Sequence, residues 1–446
     1  MSLKNSYKIA DCMTKLFEAS SDKAEWFGYY NYDPLNFDQT KILCNKSLED
    51  GVKVSSGMTL ELGYYDIRTS KWHHIGESDS WNWQQGAMMQ WIPGVGNENN
   101  VIYNTSKGGK IISIIHNIAT KTDKIIDYPI YGITPDGKKS ISIDFERSYW
   151  CRAYHYQSVK NYDKNSDVYV DDGIFEIDLV KNKRKRLITI QEIIRSDSRP
   201  YFNGMKHWIE HVMINPSGTR FCFLHRFSPV DNIYDYKTRL CVADIDGKNL
   251  QVIDGWEDLD RTHFGWKGVD EFAIYSYRYS RYGFPRDIRK ILKDSPIHIG
   301  ELLSRIIVGI SNRIPIKIGN AISGRKTYYE VFSFKDGRFE HVDIYSNETL
   351  NIDGHPSFTK DGNYMITDTY PNKQKIQTLQ VLNCKNKKYY NMGFFYAYYH
   401  KNPASCDLHP KLSNNNNYLM VDSAYNKTHH LILFKLDWNK IIKKLQ

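Results

Sequence analysis

His211-Val212-Met213-Ile214-Asn215-Pro216-Ser217-Gly218 and His355-Pro356-Ser357-Phe358-Thr359-Lys360-Asp361-Gly362 share one build. Each has a histidine, a short strand-like stretch, and a tight turn whose glycine falls seven residues after the histidine. His409 leads a third copy, in which Asn416 replaces glycine in the turn Asn414-Asn415-Asn416-Asn417; asparagine also tolerates positive φ. His263 stands seven residues before Asp270, in the turn Lys267-Gly268-Val269-Asp270. Pro135-Asp136-Gly137-Lys138 repeats the turn without a histidine. Short apolar strands are expected after the turns, at 140–145, 220–224, 364–367 and 418–421. The four histidines are spaced by 52, 92 and 54 residues. An extra segment near 284–326 fills the long interval, and without it the period returns to about 52.

A hairpin unit repeating at this period stacks into a closed ring of small sheets. The sequence predicts an all-β, seven-bladed β-propeller over 1–446 as one domain, with a helical insertion in blade five at 284–326. Blades one to three are expected at 26–74, 81–128 and 129–194. Blades four to seven begin near His207, Thr262, Asp353 and Ser405. Blade seven supplies only three strands, so 7–17 is expected to add the fourth and close the ring. Abundant tyrosine, 33 residues, together with 10 tryptophans, favours strands over helices. In the insertion, Ile288, Ile291, Leu292, Ile299, Leu302, Leu303, Ile306 and Ile307 form one apolar face, fit for a lid on the propeller or a membrane or partner contact.

The net charge is +9, but it is scattered, and its densest run, Lys181-Asn182-Lys183-Arg184-Lys185, reads as a hairpin tip. No nucleic-acid-binding motif accompanies it, so an acidic oligosaccharide or polysaccharide is the expected partner. Seven cysteines without framework spacing argue for reduced thiols. No apolar run reaches membrane-spanning length, and the N-terminal residues lack the apolar core of a signal peptide. The expected location is cytoplasmic.

Inner strands of a propeller converge on the axis, so histidines at one repeat position face a shared funnel. Cys406 lies three residues before His409, close enough for both to reach one ion. His263, His355, Cys406 and His409 would form a closed tetrahedral set suited to Zn2+. If Cys406 points away, the three histidines leave an open position, as catalytic ions require. His211 starts the same face one blade earlier, near His207, His225 and Arg226. Blade three contributes Arg147, Arg152, Tyr154 and Tyr156, expected as a carboxylate- and sugar-binding loop after a strand. Gln84 and Gln85, flanked by Trp81 and Trp83, add polar contacts.

At these residues the chain resembles the oligogalacturonate lyase family and the related propeller-type ulvan lyases, over roughly 26–436. The resemblance is carried by Trp83-Gln84-Gln85-Gly86, Arg147…Arg152-x-Tyr154-x-Tyr156, His207…His211…Asn215-Pro216-Ser217-Gly218, His225-Arg226, Gly354-His355-Pro356-Ser357-Phe358 and Asp407-Leu408-His409-Pro410. It implies β-elimination on uronate-containing glycans, in which a positive group neutralises the carboxylate and a base removes the C5 proton. On this sequence it implies His211 as base, with Arg147, Arg152 or Arg226 as carboxylate clamps and Tyr154 or His225 as acid. Gln84, Gln85, Arg152, Tyr156 and His207 would contact substrate, and His263, His355 and His409 would hold the metal. The family binds Mn2+ through a set that includes a glutamine; Cys406 in this neighbourhood points to Zn2+ instead. The competing reading is a non-catalytic carbohydrate- or protein-binding propeller with a structural zinc. A propeller joined to a serine peptidase is not expected, because the sequence holds no Gly-x-Ser-x-Gly elbow.

Overall fold

The computed structural model describes residues 3–19, 21–151, 156, 170–199, 202, 204–229, 236–253, 259–278, 326–346, 350, 352–399 and 404–446. Among these, seven antiparallel sheets follow one another along the chain as the blades of the predicted propeller. Blade one comprises Ala24–Trp26, Lys41–Ser47, Leu60–Asp66 and Trp72–Ser78, and blade two Gln90–Trp91, Asn100–Lys107, Lys110–Asn117 and Thr122–Ile126. Blade three comprises Gly132–Ile133, Lys139–Ser142, Gly173–Asp178 and Lys183–Thr189. Blade four holds Met205–Ile214, Arg220–Pro229, Lys237–Asp244 and Gln251–Ile253. Blade five holds Leu259–Trp266, Glu271–Arg278, Lys326–Lys335 and Arg338–Tyr345. The expected helical insertion lies between the second and third of these strands, outside the described residues.

The ring closes through its N-terminal residues. Met13–Glu18 pairs with His430–Leu436 and completes blade seven, whose other strands are Lys411–Leu412 and Tyr418–Ser423. Tyr7–Ile9 pairs with Tyr389–Tyr396 as a fifth strand of blade six, outside Ser357–Phe358, Tyr364–Thr367 and Ile376–Asn383. The 7–17 stretch thus serves two blades, and two sheet edges are covered by one short run of chain.

Middle strands read as near-continuous apolar runs because blades pack on both of their faces. Phe221, Cys222, Phe223 and Leu224 are all buried, as are Leu431, Ile432, Leu433 and Phe434. Outer strands face water and turn polar, as in Thr122–Ile126, where only Ile126 is buried. The repeated turn has one geometry: the N–H of Gly137, Gly218, Gly362 and Asn416 donates to the carbonyl of Thr134, Asn215, Thr359 and Ser413. All four donors have φ between 63 and 71°, a conformation that only glycine and asparagine adopt cheaply. Blade five departs from this pattern, with positive φ at Gly268. The strand expected at 140–145 is also shorter; after Ser142 the chain enters a helix, Phe145–Cys151, started by the Asp144 carboxylate accepting from the Arg147 N–H. No helix among the described residues is long and apolar enough to cross a membrane.

A segment after the first strand, Phe27-Gly28-Tyr29-Tyr30-Asn31-Tyr32-Asp33, runs inside the ring and touches blade after blade. Tyr30 donates its hydroxyl to the Phe264 carbonyl (2.8 Å), and Tyr32 to the Tyr131 carbonyl (3.0 Å). Asp33 accepts the Asn414 N–H at 3.0 Å. The N–H groups of Phe27 and Gly28 each donate at 2.9 Å to the Asp422 carboxylate, which also pairs with Lys411 at 3.0 Å. Gly28, at φ 107°, passes so near blade two that a Cβ would stand 2.8 Å from the Gln85 carbonyl carbon.

Removing the Asp422 carboxylate strands a buried ammonium and two buried amides. Asp422→Ala is therefore expected to lower stability by about 3–5 kcal/mol, read as an earlier midpoint in urea unfolding. A change below 1 kcal/mol would show that the axial segment does not depend on it.

Candidate metal centre

The four repeat histidines do meet. Ring centroids are 4.2 Å apart for His263–His355 and for His355–His409, and 6.3 Å for His211–His263. Local backbone irregularities aim them. Strand registers shift between Glu210 and Met213 and between Arg261 and Phe264, so His211 and His263 sit on bulges. Such bulges redirect side chains beside functional sites. His211 and His409 also take positive φ, 56° and 43°, a cost met elsewhere in the fold. His355 follows Gly354, whose Cβ would fall 1.9 Å from the Asp368 carbonyl oxygen, so only glycine fits there. Tyr30 lies against three of the rings, 5.1 Å from His355 and 5.9 Å from His409.

Three of the histidines are held by Nδ1. His263 Nδ1 is 3.0 Å from Asp353, which also accepts from Thr262 and, at 2.6 Å, from Tyr277. His355 Nδ1 is 2.9 Å from Asp368, whose same oxygen accepts the His355 N–H at 2.7 Å. His409 Nδ1 is 3.0 Å from the Gly28 carbonyl. Each bond fixes a ring and leaves Nε2 as the unengaged nitrogen, the arrangement that carboxylates and carbonyls impose on metal-binding histidines.

The third buried carboxylate has another role. Ligand atoms of His355, Asp407 and His409 all lie within 4.8 Å of one another, so these three can hold a metal ion. Burial would raise the pKa of Asp353 and Asp368, but His263 and His355 respectively outweigh it and hold both carboxyls below their usual range. At Asp407, burial and then the neighbouring Asp368 charge win, pushing its carboxyl up to about 7. Burial, with His355 next, keeps His409 well below the usual imidazole range, in the neutral form a metal requires. The donors are two imidazoles and one carboxylate, which leave coordination positions open and suit Zn2+ or Mn2+.

Of the expected set His263, His355, Cys406 and His409, this group includes His355 and His409, with Asp407 in place of His263 and Cys406. The buried Cys406 thiol is raised well above the usual range by burial and then by Asp422, and its nearest hydrogen-bond acceptor is the Asp407 carbonyl. In extended chain successive side chains point opposite ways, and it is Asp407 that faces the histidines. Asp407 stood in the quoted sequence as Asp-x-His, as did Asp353-Gly354-His355, and that repeated pair was the available signal. Tyr29, Tyr30 and Asp368 had no repeat signature.

The other predicted residues divide. Gln84 reaches the site's edge, donating to the Ser405 carbonyl at 2.8 Å, and its amide offsets part of the Asp407 shift. Gln85 is a bridge, donating to Tyr131 and accepting from Tyr156, both at 2.8 Å. That bond occupies the Tyr156 hydroxyl, and its ring is buried. Arg147 lies in the helix Phe145–Cys151 and donates from Nε to the His207 carbonyl at 3.0 Å. His207 Nδ1 meets His225 Nε2 at 3.0 Å, and Arg239 donates to His225 Nδ1 at 2.8 Å. Both nitrogens of His225 are thus engaged; burial and then Arg239 hold it well below the usual range, and burial puts His207 at about 4. Arg226 pairs with Glu210 at 3.2 Å, and Glu210 stands 3.5 Å from His211 Nε2. Arg152 and Tyr154 lie outside the described residues.

Elemental analysis after loading with manganese or zinc should find about one ion per chain in the wild type and in Cys406→Ala, and none in Asp407→Ala. Loss of metal in Cys406→Ala would overturn the ligand set. Asp368→Asn should weaken binding about 10–100-fold by loosening His355. Because metal and proton compete for Asp407, affinity should be full above pH 7 and fall about tenfold per unit below it. A flat profile between pH 5 and 8 would exclude Asp407 as a ligand.

No family model matches the chain, and no curated protein matches it. Among solved structures, the oligogalacturonate lyase of Vibrio parahaemolyticus aligns with a TM-score of 0.59 at 13% identity, covering 97% of each chain. An oligogalacturonate lyase in complex with manganese aligns with a TM-score of 0.59 at 14% identity, covering 98% of this chain and 99% of that one. The chain therefore has the fold of these two propellers across nearly its whole length.

Proposed function

We propose that the protein is a metal-supported lyase of uronate-containing oligosaccharides. The observation that carries this reading is the His355–Asp407–His409 cluster, with open positions, and with His263 next to it, 4.2 Å from His355 and 6.3 Å from His211 between ring centroids. The shared fold with an oligogalacturonate lyase that binds manganese supports it. Replacing a thiolate by the Asp407 carboxylate in the ligand set favours manganese over zinc.

A bound cation would neutralise the uronate carboxylate and so acidify the adjacent C–H bond. The protein's own groups orient this site. Asp353, Asp368 and the Gly28 carbonyl keep the three rings aimed without rearrangement. Arg226 offsets the charge of Glu210 next to His211, and its Nε carries no hydrogen bond among the described residues. That leaves a buried donor for a sugar carboxylate. His211 Nδ1 is not tied to a carboxylate, unlike that of His263 or His355. A binding-only propeller is the second reading, favoured by the internal ties of His225 and Arg147, two of the residues expected in catalysis.

Incubation with oligogalacturonate and manganese should release an unsaturated uronate product, followed by its ultraviolet absorbance, and a chelator should abolish the signal. Arg226→Ala should raise KM about tenfold or more through the lost charge-assisted bond. Sugar binding without any unsaturated product would sink the lyase reading and leave the binding-only propeller.

A further inference from the structure

His211 has both ring nitrogens spoken for, and the partners differ in kind. Nδ1 is in hydrogen-bond contact with the Tyr29 hydroxyl, and the two rings stack at 5.2 Å with an interplanar angle of 22°. Tyr29 has no other hydrogen-bond partner among the described residues, and donating its O–H to Nδ1 is the arrangement that gives the hydroxyl proton an acceptor. Nε2 stands 3.5 Å from the Glu210 carboxylate, which also takes the Trp208 N–H at 2.8 Å and faces Arg226. A lone pair on Nε2 would face that carboxylate unfavourably, whereas an N–H there is attracted to it.

We infer that Tyr29 and Glu210 fix His211 as the Nε2–H tautomer, so that His211 acts as a neutral N–H donor to an oxygen gaining negative charge, not as a base. Tyr29 is a positioning residue that works through His211. The 3.5 Å separation from Glu210 is too long for a good hydrogen bond, so the N–H is available to an incoming oxygen. Burial, followed by the His263 and His355 rings, keeps His211 well below the usual imidazole range, which supports a neutral ring. A neutral imidazole held in this way acts as an electrophile. The inference takes its substrate from the lyase reading and reverses the base role that the family resemblance implies.

Two measurements test it separately from that reading. In ¹⁵N-histidine-labelled wild type, two-bond ¹H–¹⁵N spectra should show His211 as the Nε2–H tautomer, its signal assigned by its loss in His211→Gln. Tyr29→Phe should convert this signal to a mixture of tautomers. An Nδ1–H tautomer in the wild type would overturn the inference, whatever the activity. In the lyase assay, His211→Gln, which restores an N–H donor, should stay within about tenfold of wild-type kcat. His211→Ala should lose about 10²–10³-fold, the cost of removing one such donor. Equal losses in the two variants would assign a base and overturn the inference. An inactive wild type would sink the lyase reading alone, and the spectra would then decide the tautomer by themselves.

Discussion

A backbone can run down the middle of a ring of sheets only if its peptide groups find partners there, because no ladder is available to them. In this propeller the Asp422 carboxylate meets that need for Phe27 and Gly28, and Lys411 balances its charge. Everything near the axis follows from this anchorage. It seats Gly28 where its carbonyl can hold His409, Tyr29 under His211, and Tyr30 among the other rings. The seven sheets enclose the site, but this one segment sets the positions within it.

The site shows the same economy of parts. Buried carboxylates a few ångströms apart do different work according to their neighbours. Asp353 and Asp368 stay charged because a histidine faces each of them, and they spend that charge on orienting rings. Asp407 has a like charge next to it instead, which makes it readier to accept a proton or a cation. Distances of a few ångströms, not residue type, separate a ligand from a ligand's support.

The architecture was legible because its period is written in turn chemistry. A histidine seven residues before a turn position, repeated at about 52 residues once the extra segment is set aside, located the inner strands of four blades, and the short last blade announced the need for an N-terminal strand. The meeting of His211, His263, His355 and His409 followed from that register. What the sequence concealed was direction and reach. Cys406 and Asp407 are neighbours, and no pattern states which of them faces inward. Arg147 follows a strand and reads as loop, yet Asp144 starts a helix there. Tyr29 belongs to no repeat, and its contact with His211 joins residues far apart in the chain. Such contacts depend on ring closure, which local spacing does not encode.

The closure itself bears on how the molecule comes to exist. Synthesis delivers Met13–Glu18 long before its partner His430–Leu436 emerges from the ribosome. At about 5–20 residues per second the first strand waits on the order of tens of seconds for its mate. Pairing with His430–Leu436 ends that wait.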